Sequence, residues 1–210
     1  MNRLGVLVII SLLTLELGAG FSPWVYRSPA VLQLTAPHLA EYVKFLADVR
    51  LGIIHIQRLY FLLPLAVTAL SVPLVVVNQT LGLHWLLNWG LRFTVIPMTL
   101  ALISPVWAPS VLMNDEFRLQ TIVACIAVIL AITAPMFKNL PLRWLLLAVT
   151  ICSTIGVSLA LWQFYMANNA IADTYSSAIS LGLGGWLTIF GTVGLMIATV
   201  IYKIKTVMTP

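Results

Sequence analysis

Apolar residues in this chain run together for long stretches, and the polar residues gather between the stretches. The runs are "LGVLVIISLLTLELGAG" at 4–20, "LYFLLPLAVTALSVPLVVV" at 59–77, a segment at 90–112, "LQTIVACIAVILAITAPMF" at 119–137, and two more at 143–166 and 181–202. Each nears the roughly 20 apolar residues an α-helix needs to cross a bilayer. None alternates apolar with polar as a barrel strand does, which excludes a transmembrane β-barrel. The pattern predicts an all-α, polytopic transmembrane helix bundle of about six spans, with residues 1–210 forming one integral membrane domain. The first run starts beside Arg3 and ends in small residues, as a secretory signal does; we read it as the first span. "LHWLLNWGLR" should lie along the interface before the third span, with Trp85 and Trp89 at headgroup level. "ANNAIADTYSSAIS" reads as a polar loop between the last two spans.

One interruption is longer than the rest. Residues 21–50, "FSPWVYRSPAVLQLTAPHLAEYVKFLADVR", separate spans 1 and 2. Their first half should be extended, with Trp24 and Tyr26 among the headgroups. Their second half reads as a helix that starts at a Thr35 N-cap, with Pro37 in its first turn. Helical spacing then puts Glu41, Lys44 and Asp48 on one face and Leu39, Tyr42, Val43 and Leu46 on the other. That is an external amphipathic helix lying in the interface. The pairs Glu41–Lys44 and Lys44–Asp48 would each add about 0.2–0.5 kcal/mol.

Composition sharpens this picture. The chain is 61% hydrophobic with a mean hydropathy of +1.04, and only 8% of its residues are charged, against roughly 25% in soluble domains. The net charge of +5 comes from basic residues that flank the runs and form no cluster suited to nucleic acid. The short turns "KNLPLR" and "YKIK" are purely basic. By the positive-inside rule they predict both termini on the cytoplasmic side of the cell (inner) membrane and residues 21–50 outside.

Few residues are placed to do chemistry. Glu16 stands inside the first run, where a carboxylate is costly, and Arg27, Arg50 and Arg58 are its candidate partners. Arg92 enters the third span, as a snorkelling anchor to lipid headgroups or a ligand for an anionic lipid. His84 is the one histidine placed to hold a pigment. Cys125 and Cys152 fall at different depths, which argues against a disulfide and for two small buried hydrophobes. Gly184, Thr188 and Thr192, with Gly191, Gly194 and Ala198 beside them, form small-residue stripes that let a helix approach closely. No phosphate-binding glycine loop, zinc-protease motif or nucleophile elbow occurs. No residue pattern names a cofactor.

These features suggest a non-catalytic integral subunit of a larger membrane complex, contributing helix packing and an outer-surface lid. Its expected partners are the lipid bilayer and other integral membrane subunits. The alternative is a transporter subunit that binds a small solute between its helices. In length and span count alone the chain resembles the substrate-binding membrane subunits of vitamin importers. A weaker alternative is a pigment- or quinone-associated membrane protein.

Overall fold

The computed structural model describes residues 3–27, 32–103, 106–175 and 178–208. Among the described residues helices dominate, and five are long and apolar enough to cross a membrane. Helix α1 (Arg3–Glu16) continues into a π-helical turn at Leu17–Phe21. A two-stranded antiparallel hairpin follows, β1 (Val25–Arg27) against β2 (Leu32–Leu34), with Tyr26 opposite Gln33. Short helices α2 (Ala36–Tyr42) and α3 (Ala47–Arg50) lead to α4 (Leu59–Val76). Then come α5 (Trp85–Phe93), α6 (Val95–Leu102), α7 (Pro109–Leu112) and α8 (Arg118–Thr133). The chain closes with α9 (Leu142–Tyr175) and α10 (Leu183–Met208).

Helix α4 sits at the centre, touching α1, α6, α8 and α9. It runs through Pro64 and Pro73 without a break, and the Thr68 hydroxyl donates to the Pro64 carbonyl at 2.6 Å. The first and last helices pair with each other, antiparallel. Gly18 faces Thr188, Gly191 faces Leu15, and Gly194 faces Ser11. A Cβ on Gly191 would lie 2.6 Å from the backbone nitrogen of Leu15, so only glycine permits this approach.

The molecule thus has two unlike ends. The N-terminus of α1 and the C-terminus of α10 lie at one. Asn78, after α4, donates to the Leu140 carbonyl there at 2.7 Å. At the other end, Arg58 before α4 reaches Glu116 and Gln120 at the start of α8. The hairpin, α2 and α3 cap that end. All six acidic residues (Glu16, Glu41, Asp48, Asp115, Glu116 and Asp173) lie in the capped half. Arg3, Arg92, Lys138, Arg143, Lys203 and Lys205 lie toward the other end with no acid among them.

Several expectations need correcting. The run at 90–112, expected as the third span, is not one continuous helix. Residues 77–117 return the chain from the basic end to the capped end through α5 and α6, which meet at Thr94. The amphipathic helix of residues 36–50 is also broken. It ends at Tyr42, passes through a 3₁₀ turn at Val43–Phe45, and kinks where Leu46 turns extended at ψ 134°. Thr35 does cap it, and Leu39, Val43 and Leu46 are buried. Trp24 is fully buried rather than at headgroup level. Its indole N–H donates to the Gly18 carbonyl at 2.9 Å, and its ring meets Phe164 edge-on. Of the polar loop expected at 167–180, residues 167–175 are instead the last turns of α9, and 178–180 are non-helical. Ala167, Ala170 and Ile171 keep a buried stripe at helical spacing there. Cys125 and Cys152 are both free and exposed, on outward faces of their helices.

Candidate functional site

Three polar constellations stand out in this apolar fold. The first is an ion cluster that clamps the cap to the bundle. Lys44 Nζ lies 2.6 Å from Glu41 Oε2 and 2.7 Å from Glu116 Oε1. Arg58 Nη1 pairs with Glu41, and Nη2 donates to the Glu116 backbone carbonyl and to Gln120 Oε1. Both cations lie over the Phe117 ring, Arg58 at 4.6 Å and Lys44 at 5.3 Å from its centroid. A hydrogen bond from Lys44 holds the Glu116 carboxyl below its usual range. Burial alone would lower the Lys44 ammonium, but its hydrogen bonds to Glu116 and Glu41 outweigh that and raise it. Lys44 therefore turns to Glu41 and across to Glu116; no contact joins it to Asp48, because the helix that would align them ends first. Glu116, Phe117 and Gln120 gave no periodic signal in the sequence. Their role comes from a contact 58 residues away along the chain, between Arg58 and Glu116.

The second constellation surrounds Glu16. Its side chain is 5% exposed, at the junction where α1 widens into its π-turn. π-Turns inside helices often mark functional positions. The structure brings Thr94 to its carboxyl, at the break between α5 and α6. Oε2 has no hydrogen-bond partner among the described residues. Arg58 is committed to Glu41 and Glu116, and Arg50 is exposed, so neither meets Glu16. The Arg27 side chain lies outside the described residues.

The third is built on Arg92, near the end of α5. This residue is 6% exposed. Its guanidinium stacks on Trp89, 4.4 Å from the ring centroid. Nε donates to the Ala131 carbonyl at 2.8 Å, and Nη2 donates to the carbonyls of Ala131 and Ile132. These carbonyls belong to the last turn of α8, the negative end of its helix dipole. Nη1 makes no hydrogen bond among the described residues. An apolar cleft of about 260 Å³ opens on one side of the Arg92–Trp89 stack, between α5–α6 and α8. A second cavity of about 320 Å³ opens on the other side, toward Lys138, Asn88 and Trp85.

The remaining candidates have local roles. His84 is the N-cap of α5, where its Nδ1 accepts from the Leu86 N–H at 3.4 Å. No group of three or more His, Cys, Asp or Glu gathers to hold a metal among the described residues. Gly184, Thr188, Gly191 and Gly194 face α1 and the chain that follows it, and Ala198 is buried. A further cavity of about 450 Å³ separates the cap from the bundle, between His38 and Glu41 of α2 and Leu100 of α6. No protein-family model, curated protein or solved structure matches the chain.

Proposed function

We propose that this chain is a non-catalytic integral membrane subunit, with its capped end as the docking face for another membrane protein. One observation carries this reading. The cap is tied to the bundle by its ion cluster, yet it presents large apolar side chains that belong to none of the five long helices. Phe45 is 72% exposed and Leu51 74%, with Ile53 and Trp107 nearly as open. Exposed aliphatic and aromatic groups on a fixed scaffold are what an interface needs, because burying them removes apolar area from water at about 25 cal/mol per Å². In this reading the basic end faces the cytoplasm and carries both termini of the chain. The α5–α6 pair makes a sixth crossing, and the cap stands outside the cell membrane.

The experiment is site-specific photocrosslinking in the native membrane, with the probe at position 45 or 51. Crosslinks to one discrete protein are expected. Crosslinks to lipid alone, together with a monomeric mass after gentle solubilisation, would overturn the subunit reading. A second reading, a solute-binding transport subunit, draws on the cavity beneath the cap, which joins the polar groups of Thr35, His38 and Glu41 to apolar Leu100. Solute-dependent thermal stabilisation, abolished by filling that cavity with Leu100→Trp, is its signature.

A further inference from the structure

The Arg92 constellation has a chemistry that helix capping does not exhaust. A guanidinium carries five N–H donors. Here Nε and Nη2 meet carbonyls of α8, while Nη1 is uncommitted among the described residues. The carbonyls offer only the partial charge of a helix end, roughly half a unit. No carboxylate pairs with Arg92 among the described residues; Glu16, the acid that comes to the α5–α6 break, is turned to Thr94. Lys138, which lines the second cavity with Arg92, also has no ion-pair partner among the described residues. A nearly buried cation and an exposed one therefore share a cavity and lack a counter-anion.

The two cavities supply the rest of the ligand's shape. They meet at the Arg92–Trp89 stack, which lines both. Toward Lys138 the walls bring Asn88 and two cations, Arg92 and Lys138, in among apolar Val77, Leu83 and Pro135, and Lys138 lies beyond the end of α8. In the other direction the cleft is walled by Phe93, Ile96, Val128 and Ile132 and follows α6 and α8 toward mid-membrane. Charge sits at the surface and apolar walls lead inward. That is the polarity of a membrane lipid standing in its own leaflet, with Trp85 and Trp89 at the depth where aromatic rings favour the interface.

We propose that Arg92 and Lys138 hold the phosphate of one anionic phospholipid, in the leaflet at the basic end, with an acyl chain in the cleft between α5–α6 and α8. Arg92 fixes the phosphate by hydrogen bonds, Lys138 adds a point charge from the surface, and Trp89 separates headgroup from tail. This inference is independent of the docking face, which lies at the other end of the molecule.

The test uses the full chain in nanodiscs of phosphatidylcholine, alone or mixed with phosphatidylglycerol. Retained lipid is read by native mass spectrometry and the unfolding midpoint by heating. Arg92→Gln also removes the cap of α8, so Lys138→Gln and the cleft-filling Val128→Trp serve as the deciding variants. Phosphatidylglycerol should be retained in preference to phosphatidylcholine and should raise the midpoint. Lys138→Gln should weaken retention roughly fivefold, and Val128→Trp should abolish it while the protein still folds. Equal retention of the two lipids would overturn the proposal, as would unchanged retention in both variants. So would an equal rise in midpoint from inorganic phosphate alone, since that would leave the cleft without a role.

Discussion

Glu16 is the residue most at odds with its surroundings, and its fate is testable alone. A buried carboxylate with an unbonded oxygen and no cation beside it among the described residues contributes nothing that a neutral amide of the same shape cannot. Glu16→Gln should therefore leave thermal unfolding in micelles unchanged or shift it upward. A loss of about 3–5 kcal/mol, the mark of a broken buried ion pair, would contradict that. Glu16 and Arg92 were both legible in the sequence, because each is a lone charge in an apolar stretch. Their neighbours were not. A shared side of the membrane pointed from Glu16 to Arg27, Arg50 and Arg58, but Arg58 is drawn to Glu41 and Glu116, which offer it hydrogen bonds as well as charge. Trp24 was misplaced for a related reason. Tryptophan favours the interface on average, but here glycines at 18 and 184 leave a slot into which the ring descends.

Between elements, the clamp on the cap and the α1–α10 seam make different demands. The clamp is partly open to water, so each pair in it contributes little. A Lys44→Met, Glu116→Gln double-mutant cycle should give a coupling of about 0.2–1 kcal/mol. Its pH dependence follows from the shifts. The Glu116 carboxyl titrates below its ordinary value of 4.5, so its contribution is complete above that pH and vanishes as pH falls through the depressed value. The Lys44 ammonium titrates above its ordinary 10.5, so its contribution is complete below that pH and fades as pH rises through the raised one. Hydrogen exchange over residues 36–50, corrected for intrinsic rates, should be flat near neutrality and rise in acid. The seam is less forgiving. Gly191→Ala sets a methyl against the Leu15 backbone and should cost roughly 1–3 kcal/mol, read by denaturant titration in mixed micelles. The small-residue stripe was visible in the sequence, but its partner was not, because spacing along one helix does not say which helix it meets. The end of α9 was hidden by its polar residues. Asn168, Asn169 and Asp173 suggested a loop, whereas the alanines between them continue the buried face.

At the scale of the whole molecule, apolar runs were enough to read a helical membrane protein and to place its long helices, though α9 and α10 run on to Tyr175 and Met208. The run at 90–112 was harder, since a break at Thr94 leaves two helices each shorter than a span. Sidedness gives a direct check on the architecture. In a background without Cys125 and Cys152, cysteines at 45 and 51 should react with an impermeant reagent in intact cells, and one at 140 should not. The pairing of α1 with α10 also governs how the protein is made. Thr188 follows Glu16 by about 170 residues, and at about 5–20 residues per second that is roughly 10–30 s of synthesis. Throughout that interval the first helix can settle on α4 and bring Glu16 to Thr94, but the face that will meet the last helix, with Ser11 opposite Gly194, stays open to lipid or the insertion machinery. The fold therefore cannot be completed in chain order. Its opening helix waits for the last one, and a nascent chain stalled before α10 carries an unfilled seam.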